Sequence, residues 1–420
     1  MRLSSRWNRR GFLVTAGTIA GAFLSPLKLF ASNGKAAAKG VSVTGFGSTG
    51  NPYQELGVTT LINCEGTMTE LGGSLPHPEL EAVMTMAGRH FVNIPDLEVA
   101  AGKRISEMLK LPDDYSAFVT SGAAGAIQSG LAGILTGGNE ALIRQLPDLT
   151  GMKSEVIIQK SHRNPFDHQL RSTGVKLIEI ETVEDLRGAV NDRTAMMHFT
   201  NFASAAGQIK VDEWVKLAKQ YNVPCMNDAA ADTPPVSHLS DYANMGYDLV
   251  TFSGGKAIRG PQCAGLLIGR QELVANALLN NSPYEDTVGR GQKVGKEEIL
   301  GMVKALELFL AEDHDALARE WQGRLVIISR EISKVPGVSA SFFVPDIANH
   351  VPHMRIVWDE ARISLTPEQA ANLLRAGEPS IAISHGEGEP GLAMNSFMLQ
   401  PGEDKVVAAR LVSVFRQHEA

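Results

Sequence analysis

The chain has 420 residues, enough to bury a full hydrophobic core and to form more than one domain. Its apolar content of 44% and charged content of 20% are ordinary for a soluble globular protein. The formal net charge of −7 at pH 7 offers no basic field for nucleic acid or anionic lipid. The composition therefore predicts a small-molecule substrate and no nucleic-acid partner.

The first 38 residues differ in composition from the rest of the chain. Four arginines precede a neutral stretch over 11–26, and no acidic residue occurs before Glu55. An Arg-Arg pair at 9–10 followed by Phe-Leu at 12–13 resembles a twin-arginine signal, and the mildly apolar run suits that pathway better than a stable membrane span. Residues 1–38 are therefore predicted to use the twin-arginine export machinery and to direct the protein to the periplasm. The alternative is a disordered basic tail.

The next stretch, 39–55, is rich in Gly, Ser and Thr and is predicted to be a linker or N-terminal arm. A large domain is expected over 56–295. Its apolar runs, several separated by amphipathic stretches, predict an α/β architecture in which a largely parallel sheet carries helices on both faces. The seven strand candidates cover 117–120, 155–159, 176–180, 195–199, 223–227, 249–252 and 264–268.

The last part of the chain, 296–420, is predicted to hold a linker helix and a smaller C-terminal α+β domain. The helix over 296–311 has its apolar residues on one face, and a second helix runs through residue 330. Four strand candidates follow at 340–344, 354–358, 381–384 and 393–398, with helices at 367–376 and 403–419.

Two polar residues of the large domain follow strand candidates and complement each other chemically. Lys256 comes after an apolar strand and a Ser-Gly-Gly turn, where it can form a Schiff base with an aldehyde cofactor. Asp228 lies 28 residues upstream, and a carboxylate there can pair with a pyridine nitrogen and make the ring an electron sink. Together they predict a pyridoxal 5'-phosphate site. The alternatives, taken singly, are a loop lysine and a helix-capping aspartate.

A phosphate seat is predicted where the strand candidate 117–120 runs into a turn of small residues, Ser121, Gly122 and Ala123. Small side chains leave the backbone N–H groups uncovered, and the following helix adds a partial positive charge. The Ser253 hydroxyl is near enough to Lys256 in sequence to bind the same phosphate. The alternative is a tight turn that only packs well. All these elements follow strands, at the edge where open α/β sheets bind ligands.

Two histidines near strand ends are further candidates. His162 follows the strand candidate 155–159 and is predicted to stack on the pyridine ring, where it would fix the ring and pass protons. The alternative for His162 is a surface histidine. His198 lies in an apolar strand, and the sequence leaves open whether it is a core or a pocket residue.

Three residues are candidates for substrate binding. Arg259 is expected to bind the cofactor phosphate or a substrate carboxylate, with a solvated arginine as the alternative. Arg355 adjoins a strand of the small domain, where a fixed cation would hold a carboxylate. Asn63 opens a polar, glycine-rich segment that either lines an active site or simply turns. The three cysteines are far apart and predict neither a disulfide framework nor a metal site.

Several of these stretches together resemble the selenocysteine-synthase-like pyridoxal phosphate enzymes, and within them the D-glucosaminate-6-phosphate ammonia-lyase branch. The most specific piece is Ser-Gly-Gly-Lys-Ala-Ile-Arg-Gly-Pro-Gln at 253–262, and the likeness covers about residues 55–310. The resemblance implies the aspartate-aminotransferase fold type I, assembled as a homodimer or larger homo-oligomer. It also implies that Lys256 is the Schiff-base lysine, that Asp228 partners the pyridine nitrogen and that 121–123 hold the phosphate.

The activity implied by the resemblance is a lyase reaction by β-elimination. A hydroxylated amino acid or an amino sugar acid such as D-glucosaminate would yield a 2-keto acid and ammonia. Other reactions on the same scaffold stay open: racemisation, aldol cleavage, transamination and selenium transfer. From another class, an exported binding protein without catalysis is disfavoured because Lys256, Asp228 and the phosphate turn are all retained.

Overall fold

The structure is a computed structural model that describes residues 50–386 and 390–420. The export signal predicted for 1–38, and with it the periplasmic location, falls outside the described residues. In the part of the predicted arm that is described, a short helix, α1, spans Pro52–Glu55.

Residues from Thr59 to Ala420 form one compact unit. It begins with strand β1 (Leu61–Asn63), in a segment where the sequence predicted only a polar, glycine-rich stretch. The division of this unit at 295/296 into a large and a small domain stays a prediction.

The seven predicted strands of the large domain all form, and they lie in one sheet. They are β2 (Tyr115–Ser121), β3 (Glu155–Gln159), β4 (Lys176–Ile180), β5 (Thr194–Thr200), β6 (Cys225–Asp228), β7 (Leu249–Ser253) and β8 (Ala264–Arg270). The strand order is β2-β8-β7-β6-β5-β3-β4, and β8 is antiparallel to both its neighbours. Because β2 and β7 are both antiparallel to β8, they share one direction. The carboxyl ends of β2, β5, β6 and β7 therefore meet at one edge of the sheet.

Helices cover both faces of this sheet, which is why its strands are nearly uninterrupted apolar runs. One face carries a core with Trp214, Phe252 and Phe309, and the other a core with Phe118 and Leu131. The helices of this part are α2 (Glu79–Gly88), α3 (Ile94–Leu109), α4 (Gly122–Thr136), α5 (Glu140–Gln145), α6 (His168–Arg171), α7 (Val183–Ala189), α8 (Val211–Gln220), α9 (His238–Met245), α10 (Gln271–Leu279) and α11 (Lys296–Ala311).

A smaller sheet lies in the C-terminal part. Its strands are β9 (Val338–Phe343), β10 (His353–Trp358) and, after the separate strand β11 (Ser380–Ala382), β12 (Leu392–Asn395). The antiparallel order is β12-β10-β9, and helices α12 (His314–Ile332), α13 (Pro367–Ala376) and α14 (Glu403–Arg416) supply residues to the same core. This confirms the predicted fold class, a mostly parallel seven-stranded sheet with a smaller C-terminal α+β part.

Strand β11 departs from the expected arrangement. It pairs in parallel with β1, so that Ile381 lies opposite Ile62, while Ser384, just beyond its end, forms an isolated antiparallel bridge with Ala393 of β12. The Ile381 and Ile62 side chains are both buried in the C-terminal core. Sequence propensity can identify such a strand but not its partner, because pairing between segments more than 300 residues apart depends on tertiary packing.

Two features are absent from the described part of the chain. No described helix is both long and apolar enough to cross a membrane. Within the same ranges, no group of three or more His, Cys, Asp or Glu side chains is arranged to hold a metal ion.

Candidate active site

The carboxyl edge of the seven-stranded sheet borders a cavity of about 420 Å³. The turn after β2, the segment that follows β6, the turn after β7 and the loop between β9 and β10 all contribute to its wall. Six of the seven predicted cofactor-binding residues therefore line one cavity: Ser121, Gly122, Ala123, Asp228, Ser253 and Lys256.

The predicted phosphate turn depends on two glycines. Gly122 follows Ser121 at the end of β2 and has φ = +66°, a conformation that favours glycine. Gly265 of β8 lies so close that a Cβ there would be 2.4 Å from the Gly122 carbonyl carbon. The Thr120 hydroxyl donates to the Gly122 carbonyl at 2.8 Å. The turn places the N-terminus of the 15-residue helix α4 at the cavity wall, which suits an anionic phosphate.

Asp228 ends β6 as a buried carboxyl group with one oxygen engaged. The Ala230 N–H donates to its Oδ1 at 3.2 Å, and the Thr251 hydroxyl donates to the same oxygen at 3.3 Å. Its Oδ2 accepts no hydrogen bond from any described residue. Burial raises the pKa of Asp228, while the Ala230 N–H and the positive charge of Lys256 oppose that rise. A cationic N–H donor at Oδ2 would stabilise the ionised form further.

Lys256 reaches the cavity because the turn after β7 is built from small residues. A Cβ at Gly254 would lie 2.3 Å from the Met302 sulfur, and one at Gly255 would lie 2.8 Å from the Gln262 Cα. Burial lowers the pKa of Lys256, and Asp228 partly offsets that shift. A lowered pKa increases the fraction of neutral amine, which is the form that attacks an aldehyde or accepts a proton.

A second cavity, of about 110 Å³, adjoins the first, and Lys256 lines both. Thr67 and Ala231 are also shared between the two cavities. The rest of the lining is rich in side chains that donate or accept hydrogen bonds: Glu65, Thr233, Asn349, His353 and Asn395. Lys256 therefore lies between a cavity with a phosphate seat and a small polar cavity.

The structure corrects the role predicted for His162. Its side chain is fully buried and does not line either cavity. The Thr200 N–H donates to its Nδ1 at 3.2 Å, its Nε2 lies 3.1 Å from the Gln159 amide nitrogen, and its ring packs edge-on against Phe199. Burial lowers its pKa to about 4. His162 is a core histidine, because the short turn after β3 directs its ring into the protein instead of over the cavity.

His198, left open by the sequence, is also a core residue. It is 2% exposed and lies in the middle of the sheet on β5. Burial, with a smaller contribution from His162, lowers its pKa to about 3. It is therefore neutral at physiological pH and lines neither cavity.

Arg259 also lies away from the position predicted for it. It lines a third cavity, of about 200 Å³, together with Glu312, and its Nε donates to the Leu75 carbonyl at 2.8 Å. The turn closes through the Gly260 N–H, which donates to the Gly254 carbonyl at 2.8 Å. Because of this tight closure, Arg259 and the lysine three residues before it face different cavities.

The two other substrate-binding candidates do not line the cavities at Lys256 either. Asn63 closes a local turn: its Nδ2 donates to the Gly66 carbonyl at 2.7 Å and its Oδ1 accepts from the N–H groups of Glu65 and Gly66. Arg355 donates to the Pro390 carbonyl at 3.2 Å and lies over the Phe343 ring. Asn63 is thus a turn residue, and Arg355 belongs to the surface of the smaller sheet.

Several lining residues were missed by the sequence analysis. Phe166, Asn201, Phe202 and Gln262 all line the larger cavity. Asn201 and Phe202 come directly after β5, so the rule applied to the other strand ends would have found them. Ala348 comes from the loop between β9 and β10, and no local pattern indicates its position.

Comparison with known proteins agrees with this geometry. The aminotransferase class-V family matches residues 97–294. A solved structure of D-glucosaminate-6-phosphate ammonia-lyase aligns with a TM-score of 0.76 at 26% identity, covering 88% of this chain and 99% of that one. The chain is a pyridoxal phosphate enzyme of the class-V aminotransferase fold. The predicted fold type and cofactor are confirmed.

Two relatives in sequence cover nearly the whole chain. The D-glucosaminate-6-phosphate ammonia lyase of Salmonella typhimurium is 27% identical over 375 residues, which is 86% of this chain and 97% of that protein. A 5'-C-glycyluridine monooxygenase-decarboxylase of a Streptomyces species is 27% identical over 386 residues, 89% of this chain and 94% of the relative. The first relative confirms the resemblance to the ammonia-lyase branch.

The described residues fit pyridoxal 5'-phosphate in three respects. The glycine turn and the N-terminus of α4 suit its phosphate. The free Oδ2 of Asp228 suits a protonated pyridine nitrogen. The buried Lys256 suits its aldehyde, because desolvation favours the neutral amine. The described residues therefore offer one cavity with a candidate seat for the phosphate, a candidate charge partner for the ring nitrogen and a candidate nucleophile for the aldehyde.

Proposed function

We propose that the chain is an ammonia-lyase that removes the elements of water and then ammonia from a hydroxylated amino acid or an amino sugar acid of the D-glucosaminate type. The observation that carries this proposal is the position of Lys256 between the cofactor cavity and the small polar cavity. The near full-length likeness to D-glucosaminate-6-phosphate ammonia lyase supports it.

The substrate class follows from the lining of the smaller cavity. Hydroxyl groups of a polyhydroxylated chain need donors and acceptors, and Thr67, Thr233 and Asn349 supply both. Burial lowers the pKa of His353, and because its Nδ1 donates to the Val351 carbonyl at 2.7 Å, Nε2 of the neutral ring is left as an acceptor. An apolar amino acid would leave these groups unpaired, which costs free energy at each buried position.

The chain's own residues divide the proton transfers between them. When bound, pyridoxal phosphate supplies the electron sink for the α-carbon. Asp228 holds the ring nitrogen protonated, and the turn at Gly122 anchors the phosphate. The Lys256 Nζ, kept partly neutral by burial, takes the α-proton as the C–H bond breaks. The same Nζ then gives a proton to the departing β-hydroxyl, which leaves as water.

The products account for all the atoms and electrons of the proposed reaction. Loss of water leaves a 2-amino-2-enoic acid, which tautomerises to the 2-imino acid. Water then hydrolyses the imine to a 2-keto acid and ammonia, and no oxidant or reductant is needed. His162, the other proton donor that the sequence suggested, is buried away from the cavity, so Lys256 serves both steps in this proposal.

Two measurements test the proposal. Borohydride reduction of the purified holoenzyme, followed by peptide mapping, should place the reduced cofactor on Lys256. Incubation with D-glucosaminate and with hydroxylated amino acids should release ammonia and a 2-keto acid in equal amounts, without any keto-acid acceptor. An enantiomer, an aldehyde, or ammonia-free transfer to an added keto acid would instead indicate racemisation, aldol cleavage or transamination.

We also propose that the enzyme works as a homo-oligomer and is exported to the periplasm by the twin-arginine route. The family resemblance supports the first part, and the Arg-Arg pair at 9–10 with Phe-Leu at 12–13 supports the second. Sedimentation of the purified protein tests assembly. Periplasmic fractionation of cells carrying Arg9→Lys and Arg10→Lys tests export, because loss of the pair should retain the protein in the cytoplasm.

A further inference from the structure

A loop of the smaller sheet completes both cavities at Lys256. Within the connection 344–352 between β9 and β10, Ala348 lines the larger cavity, and Asn349 and Val351 line the smaller one. Ala348 and Val351 are each 5% exposed, so these two residues of the loop are packed in place, although Asn349 and His350 between them are exposed. The closure of the active site therefore depends on how this loop is held.

The contacts that hold the loop come from the segment that follows Asp228. The Ala348 N–H donates to Oδ1 of Asp232 at 3.1 Å, and the Asn349 N–H donates to the Ala231 carbonyl at 2.7 Å. The chain segment that presents the cofactor's aspartate thus also fastens the loop that covers the cofactor cavity.

The backbone of the loop needs this fastening. Ala348 has φ = +57° and Asn349 has φ = +47°; asparagine tolerates this left-handed conformation, but alanine seldom adopts it. A strained backbone conformation of this kind persists only where surrounding contacts hold it in place, and such residues concentrate at binding sites. Here the contacts from outside the loop are the hydrogen bonds that the Ala348 and Asn349 N–H groups donate to Asp232 and Ala231.

Asp232 is itself held in a buried network. It is 1% exposed, its Oδ2 accepts a hydrogen bond from the Tyr242 hydroxyl and lies 2.9 Å from Nδ1 of His238, and that Nδ1 also hydrogen-bonds to the Asp232 main-chain carbonyl at 3.2 Å. Burial alone would raise the pKa of Asp232, but the bonds from His238 and Tyr242 bring it below its ordinary value. Burial raises the pKa of the Tyr242 hydroxyl, and the side chain of Asn201, which lines the larger cavity, lies near enough to oppose part of that rise. The network therefore touches the cavity from the large sheet and from the loop.

We propose that Asp232 is a positioning residue, which fixes the loop 344–352 across both cavities and thereby sets substrate affinity and cofactor retention. It lines neither cavity, so it acts only through Ala348 and not on the reacting atoms. The part that concerns substrate rests on the proposed function. The part that concerns the loop and the cofactor does not.

Hydrogen exchange of the full-length holoenzyme tests the proposal directly. Asp232→Ala removes the acceptor for the Ala348 N–H, so amides in 344–352 should exchange about tenfold faster or more, which corresponds to the loss of one hydrogen bond to a charged group. Asp232→Asn keeps an acceptor oxygen and should give a smaller increase. Cofactor release into buffer should quicken in the same order, while exchange in the strand 225–228 stays unchanged.

A control and a milder variant make the result decisive. Asp248→Asn removes a partly buried carboxylate at the opposite edge of the sheet, where Asp248 accepts from the Cys225 N–H and Arg270, and it should leave exchange in 344–352 unchanged. If the Asp232 variants do not fold, His238→Ala removes one donor from a partly exposed position and should still raise loop exchange.

Unchanged exchange in 344–352, or an increase spread evenly over the chain, would overturn the proposal and make Asp232 an ordinary structural residue. With a substrate in hand, KM should rise more than kcat falls. If the wild-type enzyme released no ammonia, the proposed function would fail, while faster exchange and cofactor loss in the variants would still support the positioning role.

Discussion

Thr251 and Asp228 lie opposite each other on β7 and β6, and the Thr251 hydroxyl donates to Oδ1 of Asp228 at 3.3 Å. This contact leaves Oδ2 as the oxygen that can pair with the cofactor's pyridine nitrogen. The Thr251 hydroxyl and the Ala230 N–H, which donates to the same oxygen at 3.2 Å, together orient the carboxylate.

Thr251→Val should weaken cofactor binding several-fold. The substitution keeps the branched shape and removes a hydrogen bond with a net value of about 0.5–1.5 kcal/mol. Titration of the apoenzyme with pyridoxal phosphate, followed by absorbance, measures the dissociation constant. Thr251→Ser retains the hydroxyl and should bind like the wild type. Equal weakening by Val and Ser would show that packing and not the hydroxyl matters.

Gly122→Ala should weaken cofactor binding beyond its effect on stability. Gly122 has φ = +66° and open space around its Cβ position, so the alanine meets backbone strain of about 1–2 kcal/mol and no clash. Relaxing that strain rotates the N–H groups that face the phosphate. The matched control is Gly137→Ala at the other end of α4, where φ is +55° and the space is also open.

Thermal unfolding and cofactor titration separate the two glycine variants. Both should lower the melting temperature by a similar amount, but only Gly122→Ala should raise the dissociation constant for pyridoxal phosphate. Equal cofactor affinity in the two variants would contradict the assignment of the turn as the phosphate seat.

The fold was largely predictable because its signals are local. Seven apolar runs and the strand-end positions of Ser121, Asp228 and Lys256 follow from periodicity and from the parallel-sheet rule, and all three residues line one cavity. The errors arose where the direction of a side chain depends on a turn. His162 and Arg259 each lie near the expected edge in sequence, yet tight turns direct them elsewhere.

The part that sequence reasoning missed depends on distant contacts. Ala348 reaches the cavity because Asp232, more than 100 residues earlier, accepts a hydrogen bond from its N–H. Neither residue belongs to a recognisable pattern, and the left-handed backbone at Ala348 has no glycine to indicate it. Pairing of β11 with β1 is the same kind of relationship.

Glu98→Gln should stabilise the protein at alkaline pH. Burial raises the pKa of Glu98 to about 8, although the Val119 N–H, which donates to its Oε2 at 3.0 Å, opposes the rise. In the unfolded chain the pKa is about 4.3. Between these values the folded state binds the additional proton, so this group's contribution to stability falls as pH rises through that window.

Glu98→Gln removes this group's pH dependence from the free energy of unfolding, because the glutamine stays neutral and keeps an acceptor for the Val119 N–H. At about 1.4 kcal/mol per pKa unit, the gain at pH 8 is on the order of a few kcal/mol, and it should vanish near pH 4.5. Urea unfolding at both pH values measures it. Glu107→Gln, at an exposed position of the same helix α3, is the control and should change neither curve.

The corrected position of His162 predicts that two aromatic substitutions will separate stability from cofactor binding. His162→Phe keeps a ring against Phe199 but leaves the buried Thr200 N–H without its acceptor, which costs about 1–3 kcal/mol. Phe166 lines the cavity and is 58% exposed, so Phe166→Ala costs little folding energy. Loss of the Phe166 ring removes an aromatic contact with the cofactor, and such a contact contributes about 0.5–1.5 kcal/mol to binding.

We therefore expect His162→Phe to lower the melting temperature while the folded protein binds pyridoxal phosphate normally. Phe166→Ala should leave the melting temperature of the apoenzyme unchanged and weaken cofactor binding up to about tenfold. Each variant serves as the other's control, so the melting temperature and the dissociation constant for pyridoxal phosphate are measured for both proteins. If His162→Phe lost cofactor affinity at full stability, the ring-stacking role predicted from the sequence would be restored, and the buried position of His162 would be wrong.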